Sequence, residues 1–407
     1  MRTRIPFLAA SVAATLTLGC AAAQRTLGTA LPLGGAAVGA VANRPSFTDA
    51  DEERMAQENA RAFEDSVPMW DDPLLDAYLT EITQKLVAVA HPRPFRYRIR
   101  VVEDASVNAF TFGGGLLYVH AGLIARMENE AQLAMVIGHE IAHVTERHVP
   151  GGIERGYGMQ VLGQVAATAA QATGVLGGEA LKVTYEYSMA AAINGHGRGQ
   201  ESEADEVGVD YLVKAGYDPR EAPHTFEQLL KEYGDQAPLV NFFYGSHPTN
   251  VSRFERLTEI AATTYAGDLA SRSLTVNTEE YKRRTREIVV ATGVLDYESK
   301  RFNTARAMFE KAAPVDDSDA TPHYYLGKIA METGAGAAVD EAIAHLTQAT
   351  RADPAFAPAH LELGVAHYRK KDNGRAITSF ERYLELAPDA EDRTRVEQMI
   401  RELRRAS

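Results

Sequence analysis

The sequence predicts an α+β domain, a small sheet beside a histidine-bearing helix, followed by an all-α superhelix of repeated helix pairs. Three observations predict it. Short apolar runs with β alternation precede residue 120. His139 and His143 stand four positions apart in VIGHEIAHVTERH at 136–148. Gly293, Gly327 and Gly364 recur at spacings of 34 and 37 residues, the mark of a repeat array.

The N-terminus comes first. Arg2 and Arg4 precede the apolar stretch Ile5 to Leu18, which is too short to span a bilayer but fits the core of a secretion signal. The sequence TLGC then ends on Cys20, the only cysteine, where a bacterial lipoprotein signal places the residue to be acylated, although Thr17 replaces the usual leucine. An ordinary signal cleaved near Ala21 to Ala23 is the alternative. Lipidation at Cys20 would anchor the chain stably, because more than one acyl chain is added. Ala21 is not the aspartate that retains lipoproteins at the inner membrane, so the expectation is the periplasm, anchored to the outer membrane. A single cysteine permits no internal disulfide. Residues 1–20 are thus expected to be a lipoprotein-type signal and 21–50, rich in Ala, Gly and Thr, a flexible tether.

Composition bounds the remainder. In 407 residues, 45% hydrophobic with net charge −13, there is material for two or three domains, and the acidic balance argues against nucleic acid as the main partner.

FRYRIRVV at 95–102 alternates in the β manner, and VNAFTF (107–112) and LLYVH (116–120) are short strands separated by Gly113 to Gly115. A peptide can add to such a sheet as a further strand; Asn108, Ala109 and Phe110 are the candidate edge, with plain sheet core the other role for Phe110.

The histidines come next. Asn129, with Gln132 three positions on, reads as a capping box ahead of the apolar run Leu133, Ala134, Val136, Ile137, so the motif starts on a helix. Residues i and i+4 lie about 40° apart and about one turn along, so two imidazoles there can hold one ion, while Glu140 flanks them at about 100° and 60°. A zinc hydrolase needs that division: neutral histidines for the ion and a carboxylate to take a proton from water. The short metzincin spacing fails, since Glu146 and Val149 stand where glycine and a third histidine would be. A third ligand must come from a later element. In RGQESEADEVGVD, 198–210, Glu201 and Asp205 share a helix face that Gly208 continues, where a missing side chain lets two helices close up, and Glu203 points to the opposite side. Glu201 can ligate while Asp205 accepts a hydrogen bond from a ligating histidine; a solvated acidic helix start is the other reading of this pattern.

Taken together, HEIAH and RGQESEAD, with VNAF at 107–110, GGGLLYVHAGL at 113–123 and SHPTNVSRF at 246–254, resemble zinc metallopeptidase family 48, the family of HtpX and the CAAX prenyl proteases, over roughly residues 55–260. The resemblance implies a zincin-like fold, one Zn2+ per chain on His139, His143 and Glu201, Glu140 as general base and Asp205 as the adjacent functional aspartate. It also draws in the SHPT loop. Pro248 biases His247 toward extended conformations, and a histidine held near the metal can donate to the tetrahedral intermediate or close the site as a fourth ligand, a plain surface-loop histidine being the other reading. Arg253 is expected to anchor that loop or bind an oxyanion.

The C-terminal half carries the array. Ala305, Ala342 and Ala376 are spaced 37 and 34, Phe309, Leu346 and Phe380 follow each by four, and Pro354 and Pro388 follow by twelve, as if a 34-residue unit carried an insertion at Gly334 to Gly336. This matches the tetratricopeptide pattern, with a degenerate first unit that has Thr292 before its glycine. Three helix pairs and a last helix at 391–405 make a superhelix whose concave face can bind a protein segment, a passive stabilising module being the alternative. The peptidase domain is expected over 51–270 and the tetratricopeptide-repeat domain over 286–407.

Within the family, the BepA-like periplasmic branch with C-terminal repeats is the nearest in organisation. It implies an envelope endopeptidase acting on protein or peptide substrates in outer-membrane protein quality control, with an envelope complex bound through the repeats. The rival is an assembly chaperone acting through its repeats with a closed or vestigial metal site.

Overall fold

A computed structural model describes residues 47–152, 198–225, 227, 250–334 and 336–406, all within one compact unit. The expected signal segment with Cys20, most of the expected tether, most of the Gly/Ala-rich stretch 150–199 and the SHPT stretch with His247 lie outside the described residues.

Helix α1 (Asp49–Glu64) opens with a complete capping box between Thr48 and Asp51. Helix α2 (Pro73–Val87) opens on Asp72 as N-cap with proline at the first position, where no N–H is needed. Its stripe Leu75, Leu79, Ile82 and Leu86 is buried in the main core.

Three strands follow, β1 (Arg98–Val102), β2 (Ala109–Thr111) and β3 (Leu116–His120), in the order β1-β3-β2. β1 runs parallel to β3 and β2 antiparallel, so among the described residues β2 is an edge strand. The β2–β3 turn passes through Gly113, Gly114 and Gly115, all at positive φ (83°, 56° and 79°). A Cβ on Gly114 would lie 2.9 Å from that of Ala56, so this turn both bends left-handed and lets α1 approach.

After α3 (Ala121–Arg126) comes α4 (Glu130–Thr145), buried along its whole length. Its cap differs from the expected box. Asn129 accepts from Gln132 N at 3.0 Å, but the Gln132 side chain accepts from Glu128 N, one residue earlier than a standard box. A helix buried on all sides must satisfy its polar members internally. Glu130 does so with the hydroxyls of Tyr78 (2.8 Å) and Tyr217 (2.6 Å) and the amide of Asn277.

Helix α5 (Arg198–Lys214) lies alongside α4, and α6 (Asn250–Thr263) and α7 (Ala266–Ser271) follow. The array is built from α8 (Thr278–Glu298) with α9 (Phe302–Ala312), α10 (Ala320–Thr333) with α11 (Ala337–Ala352), α12 (Ala357–Arg369) with α13 (Asn373–Leu386), and the last helix α14 (Arg393–Ala406). The repeated glycines have a packing reason: a Cβ on Gly293, Gly327 or Gly364 would come within 2.9, 2.6 or 2.5 Å of Phe309, Leu346 or Phe380. Each glycine receives the large residue that follows the repeat's alanine by four.

The array is not a separate appendage. Helix α8 begins eight residues before the expected domain start at 286 and sends Tyr281 and Ile288 into the peptidase core. Burying such side chains contributes roughly 1.5–3 kcal/mol each. Tyr281 Oη donates to Ile124 O at 2.6 Å, and Arg126 pairs with Asp296 at 3.3 Å, both side chains almost fully buried. Among the described residues no helix is long and apolar enough to cross a membrane.

Candidate metal centre

The site is built where α4 and α5 touch. Gly138 and Gly208 face each other there, and a Cβ on Gly208 would lie 3.0 Å from His139 N and 3.1 Å from its Cα. The close approach carries Glu201, one helical face along from Gly208, up to the two histidines. His139 Nε2 lies 3.0 Å from His143 Nε2, 3.4 Å separates His139 Nε2 from Glu201 Oε2, and 3.5 Å separates His143 Nε2 from Glu201 Oε1. One ligand atom from each of the three residues falls within 4.8 Å of the other two. All three side chains are buried.

Asp205 sits one turn along from Glu201 and turns to His139, its Oδ1 3.1 Å from Nδ1. That contact leaves Nε2 of His139 to face Glu201, so the imidazole is oriented by a carboxylate behind it. Asp205 is itself clamped. Arg253 donates through Nε at 2.9 Å and Nη2 at 2.5 Å, and Arg256 through Nη2 at 2.8 Å. Arg253 lies on helix α6, buried, with Nη1 3.8 Å from Glu201 Oε2. The two arginines, at i and i+3 on one face of α6, fix the α5 carboxylate from the far side of the site.

Electrostatics follow from burial and these pairs. Burial, the strongest influence on Asp205, raises its pKa, but Arg253 and the hydrogen bond from His139 outweigh it and hold the carboxyl below the usual carboxylate range. Burial opposes a charged His139, and the contacts to Asp205 and Glu201 overcome it and lift the imidazole to about 9 from the protein groups alone. Burial pushes Glu140 up to about 7, against the pull of His139. Glu140 Oε1 is buried and has no hydrogen-bond partner among the described residues. An oxygen placed so beside three converging donors suits a water or ion held between them.

The donor set fits zinc: two imidazole nitrogens and one carboxylate oxygen are the ligand types of a catalytic zinc site that keeps an open position.

The remaining candidates fall as follows. Ala109 and Phe110 are on the β2 edge, and Asn108 accepts through its carbonyl from His120 N at 2.9 Å just before it. The Phe110 ring stacks on Tyr118 and meets Phe63 and Phe112, so that side chain belongs to the sheet core. His247 and Cys20 lie outside the described residues. Glu203 does not simply point away into solvent: its Oε2 lies 3.2 Å from Nε2 of His148. His148, buried and 2.8 Å from His143 Nδ1, was not singled out by spacing, nor was Arg256. Burial holds the His148 imidazole below its ordinary pKa, against the pull of Glu203.

The sequence profile of peptidase family M48 matches residues 73–261, which carry every side chain of this centre, and that of the tetratricopeptide repeat matches 339–391. The Escherichia coli (strain K12) metalloprotease LoiP is 30% identical over 181 residues, covering 44% of this chain and 68% of that protein. The chain belongs to peptidase family M48. Membership of this metallopeptidase family implies zinc, and His139, His143 and Glu201 are grouped as a candidate site for it. Two further relatives of this M48 chain are larger. The putative beta-barrel assembly-enhancing protease of Vibrio cholerae is 34% identical over 181 residues, 42% of this chain and 36% of that protein. The beta-barrel assembly-enhancing protease of Escherichia coli (strain K12) is 30% identical over 215 residues, 50% of this chain and 42% of that protein. The alignments therefore span well under two thirds of the length of these two relatives.

Proposed function

We propose that the protein is a zinc-dependent endopeptidase of the bacterial envelope that hydrolyses peptide bonds of protein substrates in outer-membrane protein quality control. The observation that carries this reading is the convergence of His139, His143 and Glu201, with Glu140 near enough for His139 and Glu201 to act on it and its buried Oε1 lacking a hydrogen-bond partner among the described residues. The names of the relatives support the envelope setting. The lipoprotein-type N-terminus supports anchorage of a periplasmic chain to the outer membrane through Cys20.

When bound, zinc supplies Lewis-acid polarisation of a water and of the scissile carbonyl. The chain's own residues do the rest. Asp205, clamped by Arg253 and Arg256, keeps the proton of His139 on Nδ1 and so leaves Nε2 as the ligand atom. Glu140 takes a proton from the attacking water and returns it to the leaving amine nitrogen. An extended substrate pairs with the β2 edge at 109–111, continuing the order β1-β3-β2. On this reading Arg253 acts as a positioning group for Asp205, and His247 of the SHPT loop serves as the gate or the donor to the tetrahedral intermediate. The repeats recruit a protein partner.

Casein digestion by the full chain, with and without a chelator and after zinc is restored, tests the reading. Cleavage lost with chelator and regained with zinc is expected; chelator-resistant cleavage, or no cleavage by the zinc-loaded chain, contradicts it.

A further inference from the structure

His139 has a buried carboxylate behind it, whereas His143 has another histidine. His148 Nδ1 lies 2.8 Å from His143 Nδ1, and the two rings meet at 66° with centroids 4.9 Å apart. On its far side His148 Nε2 is 3.2 Å from Glu203 Oε2. Gln200 donates to the His148 carbonyl at 3.3 Å, tying the backbone at this point to the start of α5.

We infer that His148 is a positioning residue for His143, and that Glu203 in turn orients His148. The proposal rests on the reading that His143 is a zinc ligand. His143 Nε2 faces His139 and Glu201, so its lone pair points into the centre. A neutral imidazole that offers Nε2 carries its proton on Nδ1 and must donate it. The acceptor at 2.8 Å is His148 Nδ1, which can accept only if the His148 proton is on Nε2. That proton then points at Glu203 Oε2. A single assignment of protons satisfies these contacts: Glu203 accepts from His148, which accepts from His143, whose Nε2 faces His139 and Glu201.

The two ligands are thus held differently. The His139 support is buried and charged; the His143 support is a neutral ring backed by a carboxylate whose side chain is 55% exposed. Loss of Glu203 should therefore matter less than loss of His148, since water can replace an exposed acceptor.

The test is the Zn2+ affinity of the full chain, measured by competition with a chromophoric chelator. Asn places an oxygen where His has Nδ1 and keeps the acceptor for His143. Gln places its polar end at Nε2, and Phe keeps only the ring. The proposal predicts that His148→Gln and His148→Phe weaken Zn2+ binding by roughly 10–100-fold, the usual effect of losing such a partner, while His148→Asn stays near wild type. If His148 merely fills space, the order reverses, with Phe near wild type and Asn weakened, and the proposal is overturned. Should the Phe variant fail to fold, the Gln and Asn pair decides alone: equal affinities overturn it. Glu201→Ala separates the two levels. If that variant binds Zn2+ like wild type, the zinc reading itself fails; if it loses Zn2+ while all His148 variants keep it, only this inference fails.

Discussion

Gly208 lies so close to His139 that a Cβ on it would stand 3.0 Å from the histidine's backbone nitrogen. The obstacle is helix backbone and not the end of a flexible side chain, so it cannot swing aside. Gly208→Val should force α4 and α5 apart and cost on the order of 2–3 kcal/mol, as overpacking does. Gly208→Ala should cost less, because alanine regains about 1 kcal/mol of helix propensity. Urea unfolding measures both, and a Val variant as stable as wild type would show that the helices are not in contact there.

Asp205→Asn should be among the most damaging single changes. It leaves Arg253, buried, and Arg256, half-buried, without their carboxylate and gives His139 an amide in place of an anion. Removing one partner of a buried pair costs about 3–5 kcal/mol. Equilibrium unfolding that shows a loss under about 1 kcal/mol would mean the cluster is well hydrated, as exposed pairs are.

Lys311 on α9 donates to the carbonyls of Ala125, at 3.0 Å, and Met127, and its burial lowers its pKa from 10.5 to about 8. Below about 8 both folded and unfolded chains hold the proton and the burial penalty is full. Between about 8 and 10.5 only the unfolded chain still binds it, so stability rises with pH. Lys311→Met should lose this rise, worth at most about 3 kcal/mol. The difference in unfolding free energy between the two proteins at pH 7.5 and pH 10 reads it directly.

A cut at the expected domain start should fail. Deleting 286–407 removes Asp296 from the buried Arg126 and strips Val289, Met308 and Ala312 from Ala125. A chain ending at residue 318 keeps α8 and α9 and should fold and bind zinc. Comparable solubility and melting temperature for the two truncations would contradict the shared core.

What was legible in the sequence was local. His139, His143, Glu201 and Asp205 declare themselves because helix period alone puts i and i+4 on one face, and Gly208 marked the contact between the two helices for the same reason. His148 did not. Helix α4 ends at Thr145, Glu146 caps it, and Arg147 turns left-handed at φ 57°, so the direction of His148 is set by a turn that no helical spacing describes. Arg253 and Arg256 did share a face at i and i+3, a signal present in the sequence, but their partner is 48 to 51 residues away. The Arg126–Asp296 pair, 170 residues apart, had no local signature at all, and with it the fusion of the repeats to the peptidase core stayed hidden.

Under the proposed function, Glu140 moves the proton in zinc-dependent peptide hydrolysis. Glu140→Gln keeps the shape and removes the base, so the purified variant should bind one Zn2+ per chain as wild type does, melt no lower, and cleave casein at least about 100-fold more slowly. Cleavage near the wild-type rate with zinc bound would contradict the role of Glu140 as the base.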